Sequence, residues 1–224
     1  DNTAILSGDA MFVLAYQYIA KSAKHQSIMW DLFNATALEI CEGQQFDINF
    51  EKRNNVTEAE YLEMIRLKTA VLLAASMKMG AIQADASEED AQLMYDFGIN
   101  IGLAFQLKDD YLDIYGDPVI FGKNIGGDIL ANKKTYLLIK AFELADERQK
   151  VDLSHWIFED TFNPEEKILA VINIYNQLGV KTVCESKIQE YYNAAMNIFE
   201  RVSVGSDRKK EVENLIRELM YRER

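Results

Sequence analysis

The sequence Phe105-Gln106-Leu107-Lys108-Asp109-Asp110-Tyr111-Leu112-Asp113 places three carboxylates at the end of a long helical pattern. Ser87 is a suitable N-cap for this helix, and apolar residues then recur at helical spacing as far as Phe105. Gly116 and Pro118 follow as stop signals. The pattern predicts one helix over residues 87–115.

The three aspartates, Asp109, Asp110 and Asp113, lie in the last two turns, where the helix dipole disfavours each anion by roughly 0.3–1 kcal/mol. Asp109 and Asp113 are also a like-charge i,i+4 pair, which costs roughly a further 0.2–0.5 kcal/mol. A solvated acidic helix end is one interpretation. Because the preceding turns are apolar on most sides, the other is a cleft in which the carboxylates bind a cation. Hard carboxylate oxygens suit Mg²⁺, which usually shares its shell with water and substrate phosphates.

The segment after this helix offers positive charge and flexible backbone. The loop 114–131 contains Phe121-Gly122-Lys123-Asn124-Ile125-Gly126-Gly127-Asp128. Asn132 is a good N-cap for a helix over 132–146, which would place Lys133 and Lys134 in its first turn. A helix N-terminus with lysines and a glycine-rich loop is suited to phosphate. A surface loop with solvated lysines is the alternative.

Lys68 is a second unusual cation, because it lies in the middle of an apolar helix predicted over 58–79. Its neighbours three and four residues away are apolar (Met64, Ile65, Val71 and Leu72). We therefore expect no local acid to pair with it, and an unpaired buried charge is costly. Either the side chain extends to the surface, or it contacts a ligand phosphate together with the Thr69 hydroxyl.

These residues resemble those of the trans-prenyl diphosphate synthases, also called polyprenyl synthetases, which include farnesyl and geranylgeranyl diphosphate synthases. The run FQLKDDYLD, followed by GKNIGGD and NKKTY, is similar to the second aspartate-rich region of that family. Three further blocks match in order: Ala4 to Asp9, Glu42-Gly43-Gln44 and Lys68-Thr69. The resemblance implies an all-α isoprenoid-synthase helical bundle, and a homodimer formed in part by the first two helices.

The resemblance also implies the reaction and the roles of the residues. The family condenses isopentenyl diphosphate with an allylic prenyl diphosphate, which ionises in the presence of Mg²⁺ or Mn²⁺. The implied metal-binding residues are Asp109, Asp110 and Asp113, and the implied catalytic residues are Lys68, Gln106, Asp109 and Lys123. The implied substrate-binding residues are Gln44, Lys68, Thr69, Phe105, Gln106, Lys123 and Lys133.

The family's first aspartate-rich motif, and the arginine pair after it, would precede Asp1 and are not in this sequence. Either the chain is a fragment, or the upstream helices exist and are not covered here. We expect these 224 residues alone to bind diphosphate poorly and to be inactive. A class I terpene cyclase and a catalytically inactive regulatory subunit remain as rival hypotheses. The residues that set product length in the family are also upstream.

Composition agrees with one helical domain. The chain has 224 residues, 49% of them hydrophobic, with only two prolines and no interdomain linker. Helix 4–20 is apolar on nearly every face and is predicted to be covered on all sides. Gly98 and Gly102 are predicted to permit close helix packing, and 44–57 is predicted to be a loop. The predicted helices are 4–20, 27–45, 58–79, 87–115, 132–146, 164–178, 181–202 and 207–222.

Charge and cysteine content limit the partners and the compartment. The net charge is −12, from 24 basic and 36 acidic residues, which argues against nucleic acid as a partner. Two cysteines far apart in sequence, Cys41 and Cys184, favour reduced thiols in a cytoplasmic protein. We expect no membrane insertion, because no segment is long and apolar enough.

Overall fold

The computed structural model describes residues 2–22, 24–117, 125–158 and 161–220, and these residues form α-helices, one π-helical segment and no β-strand. The prediction of an all-α fold is confirmed. The helices are α1 (Asn2–Ala20), α2 (Gln26–Glu51), α3 (Glu58–Ile65), the π-helical segment (Arg66–Ala70), α4 (Val71–Gln83), α5 (Glu88–Tyr115), α6 (Gly127–Leu130), α7 (Tyr136–Leu144), α8 (Glu147–Phe158), α9 (Pro164–Gln177), α10 (Val180–Glu200) and α11 (Ser206–Met220).

Helix α5 is the centre of the bundle, with α4 packed against one side and α10 against the other. The contact with α4 is close because Gly98 and Gly102 have no side chains. A Cβ on Gly98 would stand 2.5 Å from the Cα of Ala74 in α4, and a Cβ on Gly102 would stand 2.4 Å from the Cα of Ala70, the last residue of the π-helical segment, so the predicted close packing is confirmed. On the other side, the rings of Phe97 and Phe199 stack with their centroids 4.7 Å apart and join α5 to α10. These contacts fix the carboxylate end of α5 relative to the π-helical segment.

Helix α2 continues to Glu51, so the prediction of a loop over 44–57 is wrong in its first half. Its polar residues misled the prediction, because polarity is also expected of the exposed side of a helix. Gly43 lets α2 approach the π-helical segment, since a Cβ there would lie 2.4 Å from the backbone nitrogen of Lys68. The predicted helix 58–79 is therefore interrupted by a π turn at this crossing. Such turns often occur at functional sites.

Several predicted helix ends are confirmed by their caps. The Ser87 side chain accepts the backbone N–H of Asp90 at 3.0 Å. Asn163 caps α9 ahead of Pro164, and Gly179 ends that helix with a left-handed φ of 68°.

The prediction of a helix over 132–146 is wrong at its start. Asn132 has a φ of 51°, a left-handed conformation that asparagine tolerates better than most residues, and the N-cap is Thr135. Helix α8 was not predicted. It begins after Asp146, whose carboxylate accepts the backbone N–H of Gln149 at 2.8 Å. Only Ala145 and Asp146 separate α7 from α8, with no glycine or proline to mark the break.

Helix α1 is not covered by the described residues of this chain, so the predicted cover on all sides stays a prediction. It packs chiefly against α2, and none of its residues is buried. Large apolar side chains remain exposed along it, including Ile5, Leu6, Met11 and Tyr18. Across the described parts of the chain, we find no helix whose length and apolar content would let it cross a membrane.

Candidate functional site

Five of the predicted site residues meet in one pocket of about 120 Å³, which we call the central pocket. It lies where α3, the π-helical segment, α5 and the turn before α7 converge. The predicted residues that line it are Lys68, Thr69, Gln106, Asp110 and Lys133. Parts of the chain separated by up to about 65 positions therefore reach one cavity, as the metal–diphosphate hypothesis requires.

A chain of hydrogen bonds forms one wall of the central pocket. The Thr69 hydroxyl donates to Gln106 Oε1 at 3.1 Å, and Gln106 Nε2 donates to Asp110 Oδ1 at 2.9 Å. On its other oxygen, Asp110 accepts the Tyr61 hydroxyl at 2.5 Å. The arrangement holds Gln106 in one orientation, because its carbonyl oxygen and its amide group each have a partner.

Asp110 is the most perturbed carboxylate of the site. Its residue is only 7% exposed. Burial raises the pKa of Asp110 to about 7, helped by the charge of Asp128 and opposed by the hydrogen bond from Tyr61. Both of its oxygens accept hydrogen bonds, so Asp110 acts in the site mainly by holding Gln106 and Tyr61 in place. Its predicted role as a metal-binding residue stays a prediction.

This raised pKa makes stability depend on pH. Between the usual value of 3.8 and about 7, the folded chain holds a proton on Asp110 that the unfolded chain has lost. The free energy of unfolding should therefore fall as pH rises through that window, by roughly 4 kcal/mol at most from this group. Asp110→Asn should remove this decrease, because the amide does not titrate. The free energy of unfolding of the variant should therefore increase relative to that of the metal-free parent between pH 4 and pH 7. Urea unfolding at several pH values measures this difference, and a flat profile would contradict it.

Asp113 joins α5 to the glycine-containing turn that follows. Its Oδ2 accepts the backbone N–H of Asp128 at 2.9 Å, and its backbone oxygen accepts the N–H of Gly126 at 2.7 Å. Gly126 has a φ of 84°, which favours glycine, and a Cβ on Gly127 would lie 3.2 Å from Asp113 Oδ1. Burial raises the pKa of Asp113, while the hydrogen bond from Asp128 opposes the rise. The two glycines thus let the turn close against the carboxylate.

Lys68 has an acidic partner that is distant in the sequence, whereas the prediction concerned only local acids. Its Nζ lies 2.6 Å from Asp47 Oδ2, and both side chains are about one third exposed. Asp47 was overlooked because it lies 21 positions away, in the segment predicted to be a loop. An ammonium has three donors, so the pair leaves Lys68 able to contact an anion in the central pocket.

Lys133 and Lys134 precede α7 instead of forming its first turn, which corrects the prediction. Lys133 Nζ pairs with Asp128 Oδ1 at 2.5 Å, and its backbone N–H donates to the Asp128 carbonyl at 3.0 Å. Lys134 Nζ donates to the Asn132 carbonyl at 2.9 Å. The fully buried Lys167 donates to Asn132 Oδ1 at 2.6 Å and thereby helps to fix the turn. Both lysines reach the central pocket from this turn.

Other predicted residues lie outside the lining of the central pocket. Asp109 is exposed, one turn before Asp113 on α5. Gln44 is exposed on α2, and Phe105 is half-buried on α5. Lys123 and the rest of the segment 118–124 lie outside the described residues. The roles of these four residues stay predictions.

The carboxylates present fit Mg²⁺ bound jointly by protein and substrate. Within the described ranges, no group of three or more His, Cys, Asp or Glu side chains is arranged to hold a metal ion. Mg²⁺ commonly takes one or two carboxylates and completes its shell with water and phosphate oxygens. The exposed Asp109 and the half-buried Asp113, one helical turn apart, provide such a pair.

Six lining residues were not predicted as site residues from the sequence, and four of them are polar: Asp47, Tyr61, Lys134 and Thr135. Tyr61 is 49 positions from Asp110, and no local pattern relates the two. Lys134 carried a signal, as a cation beside Lys133. Thr135 carried one too, since threonine is a preferred N-cap.

Comparison with known proteins agrees with this geometry. The polyprenyl synthetase family matches residues 1–175. The short chain isoprenyl diphosphate synthase of Methanothermobacter thermautotrophicus is 38% identical over 79% of this chain, and the match spans 54% of that relative. A crystal structure of geranylgeranyl pyrophosphate synthase superposes on this chain with a TM-score of 0.91 and is 42% identical in sequence. The superposed region covers 99% of this chain and 69% of the chain in that crystal structure. The Corynebacterium glutamicum geranylgeranyl pyrophosphate synthase, complexed with isoprenyl diphosphate and magnesium, superposes at 0.89 with 26% identity, covering 99% of this chain and 63% of its own.

The chain thus spans about half to two thirds of the length of these relatives. The family match extends over most of the chain and includes the motifs that build the central pocket. Relatives and solved structures agree on both sequence and fold. The chain belongs to the polyprenyl synthetase family.

Proposed function

We propose that the protein is a Mg²⁺-dependent prenyltransferase that condenses isopentenyl diphosphate with an allylic diphosphate to give a longer trans-prenyl diphosphate. The observation that carries this proposal is the central pocket, where Lys68, Thr69, Gln106 and Lys133 converge beside the aspartates of α5. The relatives support it, since they are named as synthases of such products.

The cations of the pocket would bind the diphosphate of the allylic substrate. Lys68 and Lys133 each keep donors beyond their present ion pairs, and Lys123 is proposed as a third cation. The Thr69 hydroxyl would donate to a phosphate oxygen, and Gln106 would line the reacting end with Phe105 beside it. Gln44 is proposed as a further substrate contact.

Mg²⁺ held by Asp109 and Asp113 would stabilise the negative charge on the departing diphosphate. The lysines would act in the same direction, because positive groups placed where charge develops favour the transition state over the bound substrate. The carbon–oxygen bond of the allylic diphosphate breaks, the alkene of isopentenyl diphosphate attacks the resulting cation, and a proton is lost.

The exposed apolar side chains of α1 support a homodimer. The resemblance implies that α1 and α2 form part of such an interface, and contiguous apolar surface of this kind marks contact sites. We propose that α1 is covered in the assembly.

The experiment is a binding and product assay on the purified chain. Geranyl diphosphate is titrated with and without Mg²⁺, and products are then identified with and without isopentenyl diphosphate. We expect Mg²⁺-dependent binding, and any product should be an elongated diphosphate that requires both substrates. A hydrocarbon formed from geranyl diphosphate alone would indicate a terpene cyclase. Absence of Mg²⁺-dependent binding would indicate a degenerate, non-catalytic subunit.

A further inference from the structure

A second pocket of about 310 Å³ lies beside the central pocket, and we call it the lateral pocket. It is formed by the segment 54–57, α7 and α8. Its volume is within the range of small-molecule sites, roughly 300–1,000 Å³. Lys134 lines both pockets, so the two cavities share this residue.

The inner wall of the lateral pocket is apolar. Val56, Leu138, Ile139 and Ile157 form its sides, and the rings of Phe142 and Phe158 stack with centroids 6.5 Å apart. Phe158 is still 45% exposed, although it belongs to the wall. A ligand that covered this ring would remove apolar surface from water, which is favourable.

Lys134 is the cation available to a ligand in this pocket. It is half-buried, and burial lowers its pKa, which the charge of Glu51 opposes. In the part of the chain that the structure describes, it forms no ion pair, and its only hydrogen bond is to the Asn132 carbonyl. Two of its three donors are therefore free for an anion.

The acidic group at the rim already has a cationic partner. Glu143 lines the lateral pocket but pairs with Lys140 at 2.7 Å, and Lys140 also pairs with Glu58. The negative charge of Glu143 is therefore partly offset, which lessens its repulsion of an anion at Lys134. The side-chain amides of Asn54 and Asn55 provide further polar groups at the rim.

We propose that the lateral pocket binds a small amphipathic anion, with an apolar body against α7 and α8 and a carboxylate or phosphate end on Lys134. Because Lys134 also lines the central pocket, a ligand here weakens anion binding there, and the effect is reciprocal. Only this coupling rests on the proposed function. The site itself stands on the cavity and its lysine.

The test is calorimetric titration of the purified chain with octanoate and octyl phosphate, both below their critical micelle concentrations. Octanol lacks the charge and inorganic phosphate lacks the tail, so both should bind at least about tenfold more weakly. Lys134→Met should weaken octanoate binding about tenfold and leave octanol unchanged. Lys150→Met, on α8 but outside the lining of the lateral pocket, is the matched control and should bind octanoate like the parent chain.

A second set of variants tests the site by filling the lateral pocket with a larger side chain. Val56→Phe should abolish octanoate binding, whereas Val151→Phe, at a position that is 69% exposed on α8, should not affect it. If Val56→Phe does not fold, Phe158→Ala is used instead and should lower the affinity several-fold without disturbing buried residues.

A competing apolar groove of about 580 Å³ lies between α1, α2 and α4, with Leu72 in its lining. If Leu72→Gln abolished octanoate binding while Val56→Phe or Phe158→Ala left it intact, the lateral site would be wrong. Equal binding of octanol and octanoate would also overturn the role of Lys134. Asp109→Asn should leave octanoate binding unchanged, so failure of the proposed function and failure of this site can be told apart.

Discussion

Gly102→Ala should lower the free energy of unfolding by about 3 kcal/mol, the upper part of the usual range for overpacking. The added methyl group would stand 2.4 Å from the Cα and 2.6 Å from the Cβ of Ala70. Both atoms are fixed to the backbone at the end of the π-helical segment and cannot rotate aside, so this segment and the start of α4 must separate from α5. Urea unfolding followed by circular dichroism measures the loss.

Gly80→Ala is the matched control, because Gly80 is also helical but no atom of a neighbouring element lies within 4 Å of an added Cβ. It should stabilise the chain by about 0.5–1 kcal/mol through the lower flexibility of the unfolded state. If both variants shifted stability in the same direction, the account of the α4–α5 contact would be wrong.

Gly102→Ala should also change the geometry of the central pocket. Ala70 directly follows Thr69, and Gly102 lies one helical turn before Gln106. Separation of the two helices would stretch the hydrogen bond from Thr69 to Gln106, which is 3.1 Å long in the structure. We therefore expect Gly102→Ala also to weaken diphosphate binding under conditions where the variant is still folded.

Local signals in the sequence were sufficient for the class of the fold and for most of its helices. Ser87, Asn163 and Gly179 act as caps and stops in the structure as their residue types predict. Such signals depend only on neighbours within one turn, so no tertiary information is needed to interpret them.

The errors occurred where distant segments decide local structure. Polar residues after Gly43 looked like a loop, but the close crossing of α2 and the π-helical segment keeps α2 helical to Glu51. That crossing also brings Asp47 to Lys68, across 21 positions. Asn132 was chosen as a cap on propensity alone, whereas its bond from the buried Lys167 fixes it in a left-handed turn. None of these contacts is visible in a local window.

The sequence likewise predicted one part of the candidate site and missed another. The resemblance placed Lys68, Thr69, Gln106 and Lys133 around one ligand, and the central pocket contains all four. It did not predict that Asp110 would be buried under Tyr61, because the aspartate pattern treats the three carboxylates alike. Burial separates them: Asp110 faces the interior, Asp113 is half-buried, and Asp109 is exposed.

Because Asp109 is the exposed carboxylate of the three, its substitution should affect ligand binding far more than stability. Asp109→Asn should weaken Mg²⁺-dependent diphosphate binding at least tenfold, since even residues that only support metal ligands typically contribute 10–100-fold. The side chain keeps its size and loses its charge. Because Asp109 is exposed, the free energy of unfolding should change by no more than about 0.5 kcal/mol. Binding of inorganic pyrophosphate, followed by ³¹P NMR over the millimolar range, suits the weak affinity expected of this chain.

Glu89→Gln is the matched control for Asp109→Asn, since it removes one exposed carboxylate from the first turn of the same helix. It changes the net charge equally but lies at the opposite end of α5, so it should leave pyrophosphate binding unchanged. Removal of Mg²⁺ with EDTA should bring the parent chain down to the level of Asp109→Asn and should have little further effect on that variant. If Glu89→Gln weakened binding as strongly, the effect would be one of overall charge. If Asp109→Asn bound pyrophosphate like the parent, the metal site would not include Asp109.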